Sequence, residues 1–190
     1  MARKGYDGAS VADVARTAGL TPGLVHYHFS NKEEILLAAL AAMAARHAEQ
    51  LEQRLTGSAG DPVAELATFI DFHLGLGADA DPDALSCWIL ISGEALRNRK
   101  VRAKFERTLE EMIDRLAQIL ARGVEQRLFS CASIPAAASA LVATIHGYFM
   151  LAATARKVIP RGSAAAATKQ MATALLAPRR PIATVQDRRS

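Results

Sequence analysis

The segment 10–29 most constrains the fold, because it predicts two short helices joined by a tight glycine turn. Ser10 is a favourable N-cap residue, and Asp13 stands three positions later as its capping-box partner. Gly19 supplies the left-handed backbone that ends the first helix without a Cβ penalty. Thr21 and the proline after it predict the cap and first turn of a second helix.

The apolar spacing of this segment matches a helix-turn-helix. Ala15, Gly19 and Val25 stand where that motif needs a small residue, a turn glycine and a core anchor. The second helix would then present four residues to the major groove of DNA: Pro22, Gly23, His26 and Tyr27. A plain helical hairpin has the same spacing, so spacing alone leaves both alternatives open.

The residues at 5–15, 18–29 and 31–36 closely resemble the DNA-binding segment of the TetR family of repressors, almost without gaps over 5–40. The resemblance implies phosphate contacts at Thr21, Tyr27 and Lys32, and base-edge contacts from the start of the second helix. The predicted DNA-binding residues are Ser10, Thr21, Pro22, Gly23, Leu24, His26, Tyr27 and Lys32.

One departure from the family concerns its first helix, which normally precedes the Gly-Tyr-Asp element. Here the sequence begins at Met1, and residues 2–4 resemble only the tail of that helix. Either this start is internal to a longer protein, or the product has an impaired DNA-binding head. For the sequence as it stands we expect a helix-turn-helix head without its first helix, and expect the first thirty residues to be the least stable region. The alternative is a helical ligand-binding dimer that has lost DNA binding.

Composition favours an all-α fold, because alanine is abundant and only 12 Gly and 7 Pro interrupt the 190 residues. The two cysteines, Cys87 and Cys131, show no paired spacing and are expected to be reduced thiols in the cytoplasm. The polar start of the chain does not resemble a secretory signal.

Charge does not single out the head as the DNA-binding region. The net charge is +4, with a surplus of two bases over 1–32 and of three over 178–190. We expect a disordered basic tail at 178–190, with a second phosphate-binding arm as the alternative. The predicted domains are a DNA-binding head (1–45), an effector-binding and dimerisation body (46–177) and this tail.

The segment 128–155 contains no Asp, Glu, Lys or Arg, so a membrane span is one alternative. Its serines, histidine and many alanines instead favour a helix buried on two sides, one of them against a second copy of the chain. We expect the last two helices of each of two subunits to form a four-helix homodimer interface, and expect no membrane partner.

The body resembles a TetR subgroup similar to the choline-responsive regulators, on the residues at 87–88, 94–98 and 145–148. This resemblance implies dimerisation and an effector pocket without fixing the effector. The candidate lining residues are Phe69, Phe72, His73, Trp88, Phe105, Met112 and His146. Ordinary core packing is the alternative for each, and Trp88 would suit a cation–π contact with a quaternary ammonium.

No pattern in the sequence indicates catalysis. The five histidines lack metal-ligand spacing, no glycine-rich phosphate loop is present, and the apolar setting of Cys87 favours an inert thiol. We therefore predict a ligand-responsive transcriptional regulator with no catalytic residue, metal or cofactor. Its expected partners are a palindromic double-stranded operator, a small-molecule effector and a second copy of the chain.

Overall fold

The computed structural model describes residues 5–75 and 82–183, and over this part of the chain it contains helices and no strand. The all-α prediction is confirmed. In chain order the helices are α1 (Gly5–Gly8), α2 (Val11–Thr17), α3 (Pro22–His28), α4 (Lys32–Thr56), α5 (Pro62–Leu74), α6 (Pro82–Ala95), α7 (Arg99–Glu125), α8 (Ile134–Thr154) and α9 (Ser163–Leu176), with a 3₁₀ turn at Arg156–Val158.

The local signals around the glycine turn form as predicted. The Asp13 amide donates to Ser10 Oγ, and Asp13 Oδ2 accepts from the Ser10 amide, so the capping box is complete. Gly19 has φ +68°, the left-handed conformation that stops α2. Thr21 Oγ1 accepts from the Leu24 amide at 3.3 Å and caps α3. These contacts fix the helix-turn-helix locally. The expected absence of a longer first helix falls partly on residues 1–4, outside the described residues.

The start of α4 differs from the prediction. The sequence predicts that α4 begins at a Ser30-Asn31 cap, with Glu33 completing a capping box. In the structure the Ser30 amide instead donates to Glu34 Oε2, and Asn31 Oδ1 accepts from the Glu34 amide. The prediction was wrong because Asn98 and a lysine of α7 bind the Glu33 carboxylate. The sequence predicts a loop over 77–82 and a helix from Leu85, but α6 already begins at Pro82. Residues 77–81 of the predicted loop lie outside the described residues.

The chain divides into two compact units. Unit 1 comprises residues 1–47 and 81–108, and unit 2 comprises 48–80 and 109–190. Helices α4 and α7 each contribute residues to both units. The boundaries predicted near 45 and 177 separate a DNA-binding head, an effector-binding body and a tail by function. The two compact units do not test these boundaries, which stay predictions.

Unit 1 has a small core. The five residues of this core come from three helices: Leu36 and Leu40 on α4, Ile91 and Ala95 on α6, and Val101 on α7. Ala15 of α2 and Val25 of α3 are buried separately from it. Tyr6, Trp88 and Phe105 are among the partly buried residues packed around them. Unit 1 also contains polar links between its helices, which are described below.

Unit 2 has a larger core, in which α5 is buried on more than one side, as predicted. Phe69, Leu66 and Ile70 of α5 are fully buried, and so are Leu116, Ile119 and Leu120 of α7, Leu141 and Ile145 of α8 and Leu176 of α9. Helix α8 meets the length and composition criteria for a membrane span, with a mean hydropathy of 1.5. One face of α8 packs in this core, and 28% of its most apolar window is buried.

The beginning of the basic tail is ordered. The Arg179 amide donates to the Leu128 carbonyl at 3.1 Å, the Arg180 guanidinium pairs with Asp61, and Ile182 is 7% exposed. Disorder from residue 178 onward was therefore too broad a prediction, because one ion pair and one buried isoleucine anchor 178–183. Residues 184–190 lie outside the described residues.

Candidate nucleic-acid interface and effector site

The predicted DNA-contacting face lies on α3 and is exposed. Ala15 of α2 is fully buried and Val25 of α3 is 5% exposed, and the two short helices pack against each other on this side. On the other side of α3, Tyr27 is 83% exposed and Leu24 is 44% exposed. Pro22, Gly23 and His26 are exposed with them. The structure therefore brings these five predicted residues together on one short, capped helix.

Tyr27 is the most informative residue of this face. Packing against the following helix was the alternative role for it, and an exposed fraction of 83% contradicts that role. Its ring lies edge-on to the His28 ring, with 5.1 Å between centroids. A phenol held outward on a helix can donate a hydrogen bond to a phosphate oxygen.

The hydroxyl groups of the two capping residues, Ser10 and Thr21, differ in whether their protons are available for a hydrogen bond to DNA. Ser10 Oγ donates to Asp13 Oδ2 at 2.8 Å, so its proton is already used within the capping box. Thr21 Oγ1 accepts from the Leu24 amide, which leaves its own O–H proton for another acceptor. Of these two predicted contacts, Thr21 is therefore the better phosphate donor.

Lys32, the remaining predicted DNA contact, is half-buried and held inside unit 1. Its Nζ donates to the Tyr6 carbonyl at 2.5 Å and lies 4.3 Å from the centroid of the Tyr6 ring. The geometry makes this ammonium a link between α1 and α4, which the sequence spacing did not reveal.

Glu33, which follows Lys32, forms a polar link that we did not predict. Its carboxylate accepts from Lys100 Nζ at 2.8 Å and from Asn98 Nδ2 at 2.5 Å. The hydrogen bond from Lys100, with that from Asn98, lowers the pKa of Glu33, and the same pair raises the pKa of Lys100. Within unit 1, this link ties the first turn of α4 to the start of α7.

The seven predicted effector residues fall into two groups. In unit 1, Trp88 of α6 and Phe105 of α7 are half-buried, with ring centroids 4.9 Å apart at an interplanar angle of 44°. This pair presents a partly exposed aromatic surface of the kind that binds organic cations.

The other five candidates belong to unit 2. Phe69 is fully buried and its ring lies 4.4 Å from that of His73, whose Nδ1 is 2.7 Å from the Phe69 carbonyl. Phe72 contacts the same imidazole edge-on, and Met112 packs against the core. Phe69 and His73 are therefore well-packed core residues, which was the alternative role for each of them.

His146 of α8 is the remaining candidate. Its Nδ1 lies 2.9 Å from the Val142 carbonyl, and its ring packs beside Phe149. Burial lowers the pKa of His146 because the imidazolium form loses hydration. Within the described residues, no three His, Cys, Asp or Glu side chains come together as a metal site.

A cleft of about 720 Å³ lies elsewhere in unit 2, between α9 and residues 178–183. Asp71, Lys169 and Arg180 are among its lining residues, and Lys169 is paired with Asp71. The sequence did not predict this cleft, because residues 178–183, which form one of its walls, were expected to be disordered.

Two family models match the sequence. The model described as "Bacterial regulatory proteins, tetR family" matches residues 1–39, and the model "BetI-type transcriptional repressor, C-terminal" matches residues 62–177, which is more than half of the chain. The chain belongs to the TetR family. The resemblance predicted from the glycine turn and from the body is thereby confirmed.

Two relatives support this TetR-family assignment. The HTH-type transcriptional regulator BetI of Rhizobium meliloti (strain 1021) is 27% identical over 94 residues, covering 49% of this chain and 45% of the relative. The fatty acid metabolism regulator protein of Bacillus subtilis (strain 168) is 26% identical over 125 residues, covering 66% and 62%. The matched region thus spans about half of the BetI regulator and somewhat under two thirds of the fatty acid metabolism regulator.

A solved structure shows the same fold. The transcriptional regulator from Saccharomonospora viridis in complex with choline superposes with a TM-score of 0.75 at 24% identity, covering 91% of this TetR-family chain and 87% of the other. At this identity the likeness establishes the fold alone.

Proposed function

We propose that this TetR-family chain is a ligand-responsive DNA-binding transcriptional regulator, a repressor that a small-molecule effector releases from a palindromic operator in the cytoplasm. The observation that carries the proposal is the outward face of α3. Tyr27 is 83% exposed and Leu24 is 44% exposed on this face, and neither side chain is buried in a core. A helix-turn-helix places such a face in the major groove.

On this geometry, the DNA contacts divide by side-chain chemistry. Tyr27 and Thr21 donate to phosphates and set the register of α3 on the duplex. His26 and Leu24 face base edges, where an imidazole pairs with a polar edge and the leucine packs on a thymine methyl. Gly23 has no side chain, and a Cβ added there would meet no protein atom within 4 Å. This position is therefore open to close approach by the DNA.

Dimerisation is the second part of the proposal. Large apolar side chains are exposed on the last two helices of unit 2, namely Met150 (45%), Leu151 (39%), Met171 (46%) and Leu175 (41%). Helices α8 and α9 pack against each other, so these side chains belong to neighbouring elements. An apolar surface of this kind is typical of an interface between copies, and two-fold symmetry would match the palindrome.

The third part is the effector. We propose a quaternary ammonium compound of the choline type, supported by the Trp88–Phe105 pair and by the choline complex of the Saccharomonospora regulator. Effector binding would favour conformers whose two heads no longer match half-sites about one helical turn (~34–36 Å) apart. Operator affinity then falls.

DNA binding is tested with the intact chain and a duplex that it selects from a random-sequence pool. Tyr27→Ala should weaken binding at every sequence by at least about tenfold, because a hydrogen bond to a charged group contributes about 1.5–3 kcal/mol. Tyr27→Phe should lose nearly as much, since the phosphate contact needs the hydroxyl. Val158→Ala is the control, because that side chain is 68% exposed in unit 2. Equal affinities for all four proteins would contradict the proposal.

Effector binding has a direct optical test. Trp88 is the one tryptophan of the 190 residues, so any change in tryptophan emission reports on this site. Titration with choline should change the emission saturably and lower operator affinity, and a calorimetric titration of Trp88→Ala should show weaker choline binding. A response to a long-chain acyl compound instead of choline would reject the ammonium class while leaving the regulator assignment intact.

Dimerisation is tested by the oligomeric state in solution. Leu175→Glu places a charge in the proposed interface and should convert dimers to monomers in sedimentation analysis, with loss of operator affinity. Val158→Glu, which charges an exposed apolar site outside α8 and α9, should remain dimeric. A monomeric wild-type chain at micromolar concentration would refute the interface.

A further inference from the structure

The junction of α6 and α7 carries a dense positive charge. Residues 97–107, called the junction segment here, contain six bases and one acid, a surplus of five, whereas residues 1–32 have a surplus of two. The bases are Arg97, Arg99, Lys100, Arg102, Lys104 and Arg107, and the acid is Glu106. The whole segment belongs to unit 1, the unit that also contains the helix-turn-helix.

Packing does not account for all of this charge. Arg102 donates to the carbonyls of Ala95 and Leu96 and so caps the end of α6. Arg99 is exposed and Lys104 is half-buried, and neither side chain forms a hydrogen bond or ion pair with any residue that the structure describes. Helix α7 has no acid in its first turn, so its bases also repel the positive end of the helix dipole. The bases in the first turn therefore destabilise the beginning of α7.

The junction segment is fixed beside the beginning of α4. Lys100 and Asn98 both bind the Glu33 carboxylate, and Glu33 is the second residue of α4. Helix α4 begins four residues after α3 ends at His28. Contacts within one compact unit therefore place the junction segment near the end of α3.

We propose that the junction segment binds phosphates of duplex DNA that flank the base pairs contacted by α3. The inference rests on the proposed function, in which α3 docks in the major groove. Guanidinium groups match phosphate oxygens bidentately and lysine supplies a mobile point charge, so Arg99 and Lys104 are the principal contacts. These contacts add affinity without sequence preference.

The test compares double variants of the intact chain on one selected duplex, made with and without about 10 additional base pairs (one helical turn) on each side. Arg99→Ala with Lys104→Ala should reduce the slope of log affinity against log salt by about 0.9 for each phosphate that the protein no longer neutralises. The double variant should also lose the affinity that the flanking base pairs give the wild type, and keep the same preferred sequence.

The matched control is Lys157→Ala with Arg161→Ala, which removes one lysine and one arginine from exposed positions of unit 2. Its salt slope and flank dependence should equal those of the wild type. An unchanged slope for the junction variant, while Tyr27→Ala still loses binding, would overturn the inference and leave the proposed function standing. Equal reductions in both double variants would overturn it as a general charge effect. A wild type that binds no duplex would overturn both proposals.

Discussion

The two compact units are stabilised in different ways. Among the described residues, the core of unit 2 contains twenty buried apolar side chains, whereas that of unit 1 contains five. Unit 1 adds specific polar links, from Lys32 to Tyr6 and from Glu33 to Asn98 and Lys100. The comparison teaches that unit 2 is held mainly by close packing, whereas unit 1, the unit proposed to contact DNA, combines a smaller core with a few directional contacts.

The largest expected effect compares one substitution in both units. Phe69→Ala in unit 2 should lower the free energy of unfolding by about 3–5 kcal/mol, because this side chain is fully buried and leaves a cavity. Phe105→Ala in unit 1 should cost less than half as much, since its ring is half-buried. Urea unfolding followed by circular dichroism, at one fixed protein concentration, measures both. Equal losses would remove the contrast between the two cores.

A second comparison uses glycines within helices. A Cβ at Gly123 of α7 would overlap the ring of Phe129, which is only 5% exposed and cannot move aside easily. Gly123→Ala should therefore destabilise unit 2 by about 1–3 kcal/mol, although alanine is normally the better helix former. Gly23→Ala in α3 meets nothing within 4 Å and should stabilise by about 0.4–1 kcal/mol. In thermal unfolding, the melting temperature should fall for Gly123→Ala and rise for Gly23→Ala.

The third prediction concerns pH and unit 2. Folding lowers the pKa of His146 because its imidazole is buried, so the unfolded chain binds more protons below the usual value of 6.5. Stability should therefore fall as pH decreases through the region below 6.5. His146→Gln should flatten this dependence below about pH 6.5, measured by urea unfolding at several pH values. A wild-type profile that is already flat there would contradict the assignment.

The smallest effect is expected for the polar link of unit 1. Hydrogen bonds from Lys100 and Asn98 lower the pKa of Glu33, so its contribution to stability is present above about pH 4.5 and is lost as pH falls through the lower folded value. Glu33→Gln should lower the melting temperature slightly at pH 7 and hardly at all in acid. Glu106→Gln, on the exposed side of α7, is the control and should change neither. A difference between Glu33→Gln and wild type that persists in acid would mean that the charge is not the cause.

Local signals in the sequence were sufficient for the helix-turn-helix. Ser10, Gly19 and Thr21 act through partners three or four residues away, so their roles could be predicted from spacing alone. The Asp61-Pro62 pair likewise predicts the start of a helix, and in α5 the Asp61 side chain accepts from the amides of Val63 and Ala64. Family resemblance then supplied the functional meaning of the exposed α3 face.

Contacts between distant residues could not be predicted in this way. Glu33 and Glu34 are equally good capping partners by spacing, and only the position of Asn98, sixty-five residues away in sequence, decides between them. Ile182 is a single apolar residue in a proline- and arginine-rich stretch, so no periodicity indicated its burial. The charge of the junction segment is visible in the sequence, but only the fold shows that residues 97–107 belong to the same compact unit as the helix-turn-helix.

The discontinuity of unit 1 has a consequence for protein synthesis. Three of its five buried core residues, Ile91, Ala95 and Val101, follow the whole of α5 in the sequence. A nascent chain that has emerged only as far as residue 47 therefore carries the helix-turn-helix but lacks the side chains that bury Leu36 and Leu40. The ribosome must deliver residues through about 108 before this core can close, so a head excised at residue 47 would not serve as a portable DNA-binding module.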